Sequence, residues 1–239
     1  MKYLSYFCVI IILFGLQSCR KAASSRGHMQ HIPKTEMTGT NETLSVTENE
    51  NNQKNNKIYS PTELFKRYNS AVFMIFTTDG YQAYQGSGFF ITQDGLAVSN
   101  YHVFKGTAIG YEIIKLVDGR QYKIDKVIAK SEADDYILFQ IKGQFNYIPV
   151  SQRQCEVGER VYTIGSPKGL ENTFASGEIS QIRSDDFIQI SCPIDHGSSG
   201  GALINQYGEA IGITTGGRDD SGANLNFAKN IHVVPYKNY

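Results

Sequence analysis

More hangs on Asp195-His196-Gly197-Ser198-Ser199-Gly200-Gly201 than on any other stretch of this chain, and it runs straight into the apolar Ala202-Leu203-Ile204. Acyl transfer needs a nucleophilic hydroxyl and backbone N–H groups aimed at the developing oxyanion. Glycines on both sides of a serine let the backbone turn tightly and let a substrate carbonyl come close. The apolar run that follows anchors the loop to a strand. Taken alone, a Gly-Ser-rich turn is most often only a turn, so the stretches upstream have to decide.

Two of them do. Gly86-Ser87-Gly88-Phe89-Phe90-Ile91-Thr92 is followed by Gly95-Leu96-Ala97-Val98-Ser99-Asn100-Tyr101-His102-Val103. A histidine closing a Val/Ser-rich strand can act as a general base, having the side-chain pKa nearest neutrality, although a lone histidine is more often a packed core residue. Asp134-Asp135-Tyr136-Ile137-Leu138-Phe139-Gln140-Ile141 puts an acid at the head of an apolar strand. A carboxylate there can fix a histidine's tautomer and stabilise its imidazolium, or simply initiate the strand. Asp134 is the alternative acid to Asp135.

Around these stretches lie about a dozen short runs rich in Val, Ile, Phe and Tyr: 71–78, 88–92, 97–103, 111–117, 121–129, 136–141, 160–164, 174–182, 187–190, 202–205, 210–215 and 225–227. Glycine or Asp-Gly punctuates them, and Asp118-Gly119 between two runs is a hairpin signal. One short helix is expected at the start, where Ser60-Pro61-Thr62-Glu63 has capping-box spacing and Leu64, Phe65 and Tyr68 form an apolar face. Many short strands with almost no helix indicate an all-β barrel or sandwich.

The three pieces occur in the order His, Asp, Ser, the order of the chymotrypsin fold rather than of subtilisin or the α/β-hydrolases. Within that fold the sequence resembles the HtrA (Deg) serine proteases. Gly86–Phe89 and Val98–Val103 match the family's histidine signature, Asp135–Ile141 its acid motif, and Gly197–Gly201 its Gly-x-Ser-Gly-Gly loop. A fourth match is Ile164-Gly165-Ser166-Pro167-Lys168-Gly169-Leu170 with Thr173, Ser176-Gly177 and Ile179-Ser180. The resemblance spans roughly Ser60–Ala228. It implies two six-stranded antiparallel β-barrels with the active site between them. It also implies a serine endopeptidase with Ser199 as nucleophile, His102 as general base and acid, and Asp135 as orienter. The oxyanion hole would be the N–H groups of Gly197 and Ser199, helped by Ser198. Pro193–His196, Ile213–Gly216 and Leu225–Ala228 would frame the specificity pocket, so Ile194, His196, Thr214, Thr215, Gly216 and Phe227 are the expected substrate contacts. Most of these are apolar or small and no acid stands at the expected base, which favours a small or medium aliphatic residue before the scissile bond. Protein or peptide substrates are implied, with neither metal nor cofactor. The other class of reading is a non-catalytic or gated peptide-binding module on the same fold. A homotrimer, usual in the family, is left open, as is a Cys155–Cys192 disulfide. With the last expected barrel strand close to Tyr239 and only four residues between Ile182 and Phe187, control through a PDZ domain, common in the family, is not expected.

Composition narrows the partners. Lys+Arg and Asp+Glu both number 23 in 239 residues, so the net charge is zero. Nucleic acid rewards a basic excess and is not an expected partner. Four cysteines without CxxC spacing argue against a disulfide scaffold or a structural zinc. Residues 1–19 read as an export signal, with Lys2 ahead of the apolar run Leu4–Leu16. Leu16-Gln17-Ser18-Cys19 resembles a bacterial lipobox, which makes Cys19 the expected lipid attachment and the cell envelope the expected location; ordinary secretion is the alternative. Residues 20–57 hold no aromatic side chain and read as a polar tether, about 35 Å end to end as a flexible chain. Residues 58–239 form the protease-like domain.

Overall fold

The structure is a computed structural model, and it describes residues 57–166, 172–184, 186–218 and 225–239. The expected signal, Cys19 and all of the tether except Lys57 lie outside the described residues, as do Pro167–Leu170 of the fourth matching stretch. No helix among the described residues is long and apolar enough to cross a membrane.

The one described α-helix, α1 (Pro61–Tyr68), forms where its capping box predicts. The Ser60 amide donates to Glu63 Oε2 at 2.8 Å, and the Glu63 amide donates back to Ser60 Oγ at 3.3 Å. Proline stands in the first turn, where no amide hydrogen is needed. Leu64 and Tyr68 are the buried side of the helix.

Thirteen strands follow: β1 (Val72–Thr78), β2 (Ala83–Phe90), β3 (Leu96–Ser99), β4 (Ile113–Lys115), β5 (Gln121–Tyr122), β6 (Lys126–Ser131), β7 (Tyr136–Gln140), β8 (Arg160–Gly165), β9 (Thr173–Ser184), β10 (Phe187–Ile190), β11 (Ala202–Asn205), β12 (Ala210–Arg218) and β13 (Leu225–Asn230). The all-β class is as expected. The two halves differ, however. The second closes into a six-stranded antiparallel barrel in the order β10-β13-β12-β11-β8-β9, whereas the first is a seven-stranded sheet, β5-β4-β1-β2-β3-β7-β6, whose edge strands do not meet. The single run expected over 121–129 breaks into β5 and β6. The cause is Glu112, fully buried, whose carboxylate accepts the amides of Gly110 at 2.6 Å and Ile124 at 2.8 Å. Ile124 is thereby drawn out of any ladder. The Asp118-Gly119 hairpin forms as read, joining β4 to β5 with Gly119 at φ +85°.

Alternation along the strands builds three apolar clusters. On one face of the sheet Phe73, Phe90, Ala97, Ile137 and Phe139 pack together, and inside the barrel Val161, Ile179, Ile190, Leu203 and Ile211 do the same. The intervening residues Val72, Phe89, Val98 and Leu138 stand in one cross-strand row. They join Tyr162, Ile164, Ala202 and Ile204 of the barrel in a third cluster. The sheet and barrel are therefore welded face to face, with strands buried on both sides.

Candidate active site

β3 ends at Ser99, and His102 stands not on the strand but on the 3-10 turn Tyr101–Phe104 that follows it. β7 starts at Tyr136. Immediately before it, Asp135 holds φ +53°, the one non-glycine residue in the left-handed region among those described. Such a backbone persists only where its surroundings over-determine it. Here buried Asn100 contributes, donating from Nδ2 to the Asp135 carbonyl at 3.0 Å. The result aims the carboxylate at His102. Asp135 Oδ1 accepts the His102 backbone amide at 2.9 Å, and the ring Nδ1 lies 3.1 Å from Oδ1 and 2.9 Å from Oδ2. Thr215 Oγ1 donates to Oδ2 at 2.9 Å. Asp134, the alternative acid, is instead bonded to Ser131 Oγ at 2.7 Å.

Burial acts to raise the Asp135 pKa. The hydrogen bonds from the His102 ring and backbone, the ring's charge and the Thr215 hydroxyl outweigh it, holding the carboxyl below the usual carboxylate range. A lowered folded pKa contributes stability that is present above the unfolded value and lost as pH falls through the folded one. Asp135 is therefore ionised at neutral pH. It keeps the imidazole proton on Nδ1 and leaves Nε2 free to accept another.

The loop 195–201 leads into β11 of the barrel. The Ser198 amide donates to the Asp195 carbonyl at 3.0 Å, Gly197 has φ +95°, and His196 is not in the positive-φ region. Those three facts define a type II turn, which requires glycine at its third position. The expected help of the Ser198 amide in an oxyanion hole is thereby corrected, since that N–H closes the turn. The Gly197 and Ser199 amides make no hydrogen bond among the described residues. Gly200 has φ +89°, and a β-carbon there would lie 2.0 Å from the Ser87 carbonyl oxygen. Only glycine fits.

Loop and sheet are held together by one residue that the motif reading passed over. Ser87, fully buried on β2, uses every polar atom it has. Its amide donates to the Ser199 carbonyl at 2.7 Å and its hydroxyl to the Gly197 carbonyl at 2.8 Å. The same hydroxyl accepts the Ser166 amide at 3.0 Å, and the Ser87 carbonyl accepts Ser99 Oγ at 2.7 Å. Neighbouring Gly86 confirms the convergence: a β-carbon there would sit 2.6 Å from Val103 Cγ1 and 3.2 Å from the Ser199 carbonyl. Ser199 Oγ itself makes no hydrogen bond among the described residues. The backbones that carry His102 and Ser199 are drawn together, and the link from Nε2 to Oγ is open. Such links are often long in unliganded sites and close on substrate.

Comparison with known proteins agrees with this geometry. The family model described as "Trypsin-like peptidase domain" matches residues 86–213, more than half of the chain. The chain belongs to the trypsin-like peptidase family. The "Periplasmic serine endoprotease DegP" of Escherichia coli is 35% identical over 152 residues, covering 59% of this chain and 31% of that protein. The "Probable periplasmic serine endoprotease DegP-like" of Rhizobium meliloti is 35% identical over 155 residues, covering 60% of this chain and 30% of that protein. This chain thus spans about a third of the length of these relatives. Among solved structures, the serine endoprotease from Yersinia pestis superposes with a TM-score of 0.66 at 26% identity, covering 73% of this chain and 64% of that one.

In this member of the family the residues expected to frame a specificity pocket are divided. Ile194 lines a hollow of about 420 Å³ with Pro193, Asp195, Ser198 and Thr214, while Thr215, Gly216 and Phe227 line another of about 360 Å³. The reason lies in β12, which bulges between Thr214 and Gly216. The Thr214 hydroxyl goes to the Ser198 carbonyl at 2.6 Å, and that of Thr215 goes to Asp135. His196 is exposed, its amide held by its neighbour Asp195 at 2.7 Å. Cys155 and Cys192 are both free thiols. Burial pushes Cys155 up to about 11 and Cys192 up to about 12, so both stay protonated at neutral pH.

Replacing Ser87 by alanine leaves a buried carbonyl and a buried amide without partners, a loss of about 1–3 kcal/mol. It also frees the Gly197 peptide to rotate. The expected result is a kcat lowered about 10- to 100-fold with KM nearly unchanged, short of the 10²–10³ typical of deleting an oxyanion donor. Steady-state kinetics on a peptide substrate, with a thermal melt beside them, check it.

Proposed function

We propose that this chain is a serine endopeptidase acting on extended or unfolded protein. Ser199 Oγ attacks the scissile carbonyl while His102 Nε2 takes its proton. Asp135 holds the Nδ1 proton in place and stabilises the imidazolium through the attack. The amides of Gly197 and Ser199 receive the negative charge that develops on the carbonyl oxygen. His102 then returns the proton to the leaving amine, and water, deprotonated by the same nitrogen, releases the acyl group and restores Ser199. The observation that carries this reading is the carboxylate of Asp135, engaged at once by His102 Nδ1, the His102 amide and Thr215, with the Gly197 and Ser199 amides making no hydrogen bond among the described residues.

An envelope location is part of the same proposal. It is supported by the export-type segment 1–19, and by the word "periplasmic" in the names of both relatives. A lipid on Cys19 would fix the domain to a membrane by more than one acyl chain, which anchors where a single chain does not.

The test is direct. The full chain incubated with casein is expected to yield peptides, and prior treatment with a fluorophosphonate to stop it. Casein left whole by a folded protein that also fails to react with the reagent would overturn the proposal.

A further inference from the structure

The hollow beside Thr215 has a chemistry of its own. It is lined by Arg183, Phe187, Thr215, Gly216, Gly217 and Phe227, and none of these is a carboxylate. Arg183 comes from the end of β9 and Phe187 from the start of β10, and the pairing of these strands, with Phe187 opposite Ser184, brings a cation and a ring to the rim. The guanidinium is held in position. Its Nε and Nη2 both donate to Oε1 of the buried Gln189, at 2.8 and 2.5 Å, which leaves Nη1 uncommitted. A second cation stands behind the wall: Lys229 is only 4% exposed, and its ammonium lies 3.9 Å from the centre of the Phe187 ring. Neither Arg183 nor Lys229 forms an ion pair among the described residues. Among the described residues Asp135 is bonded to the wall through Thr215, and its own oxygens are engaged by three donors.

Two cations that form no ion pair among the described residues, one on the rim of this aromatic hollow and one behind its Phe187 wall, make a carboxylate worth more there than in open water. Thr215 is both a wall of the hollow and a partner of Asp135, so the hollow adjoins the His102–Asp135 pair. We propose that it is a subsite for an acidic side chain, glutamate or aspartate, of the peptide substrate at a position flanking the one whose carbonyl is attacked. Arg183 Nη1 supplies the charged hydrogen bond, and Phe187 and Phe227 pack the methylene stem. This rests on the peptidase reading of the site, and its test is chosen so that the two can fail separately.

Peptides matched in sequence except for one glutamate or glutamine, moved position by position, are offered to the wild-type chain and to Arg183→Glu. The ratio of kcat/KM for the acidic over the neutral peptide is expected to reach about tenfold at one position in the wild type. It should shrink in half-molar salt and fall below one in Arg183→Glu. The same peptides, fluorescently labelled, are titrated into Ser199→Ala, where anisotropy gives the ratio of Kd values without turnover. Selective binding there supports the subsite even if the wild type cleaves nothing, a result that would count against the peptidase reading alone. Ratios near one at every position, in cleavage and in binding, overturn the subsite.

Discussion

Changing Asp135 to asparagine is expected to lower kcat about 10⁴-fold while leaving the fold and KM close to those of the parent, an effect of the size that loss of the correct histidine tautomer produces. Three donors converge on this carboxylate: the His102 amide, His102 Nδ1 and the Thr215 hydroxyl. An amide offers one acceptor oxygen, and its NH₂ must face one of the other two donors. If it faces the ring, Nδ1 becomes the acceptor and the proton moves to Nε2, the atom that has to receive the Ser199 proton. The local backbone should persist, since the φ +53° conformation is held by Asn100 through the main-chain carbonyl and asparagine tolerates that region. Kinetics on a chromogenic peptide and a melting curve check both halves. A kcat within about tenfold of wild type would mean that the tautomer is not what this carboxylate controls.

Replacing Ser199 by alanine is expected to do more, lowering kcat by about 10⁶. It should do so without a structural penalty, because the Ser199 hydroxyl makes no hydrogen bond among the described residues. Its removal orphans nothing, and stability should stay within about 0.5 kcal/mol of the parent. The pairing of these two results distinguishes a nucleophile from a structural serine. Ser87, 0% exposed and bonded through all its polar atoms, should show the opposite pattern: measurable loss of stability and a far smaller loss of kcat. A Ser199→Ala protein that still cleaves peptides, free of contaminating protease, would remove the mechanism.

What the bare sequence made legible followed from local chemistry. The capping box gave α1, Asp-Gly gave the β4–β5 hairpin, and the Val/Ile/Phe-rich runs gave nearly every strand, because each signal acts within a few residues. His102, Asp135 and Ser199 could be named as candidates because each sits in a motif bounded by glycine or by an apolar strand, and the bond between the first two is present. Two things were not legible. The break at Ile124 depends on a carboxylate twelve residues away, that of Glu112, being buried where it captures an amide. Nor could the tie from Ser87 to Gly197, 110 positions distant, be read from spacing. Its one signal was the small-residue run Gly86-Ser87-Gly88, which suggests close approach of backbones without saying what approaches. Thr215 was assigned to a pocket wall, and its bond to Asp135 emerges only from the bulge that turns Thr214 and Thr215 to different partners.

The most direct measurement is the position of a fluorophosphonate adduct. The full chain is treated with the reagent, digested, and its peptides are read by mass spectrometry. A single phosphonyl group is expected on Ser199, formed at a rate that drops in Asp135→Asn in step with kcat. An adduct on a different serine, or none on a protein that still degrades casein, would contradict the assignment of Ser199, His102 and Asp135 as one catalytic unit.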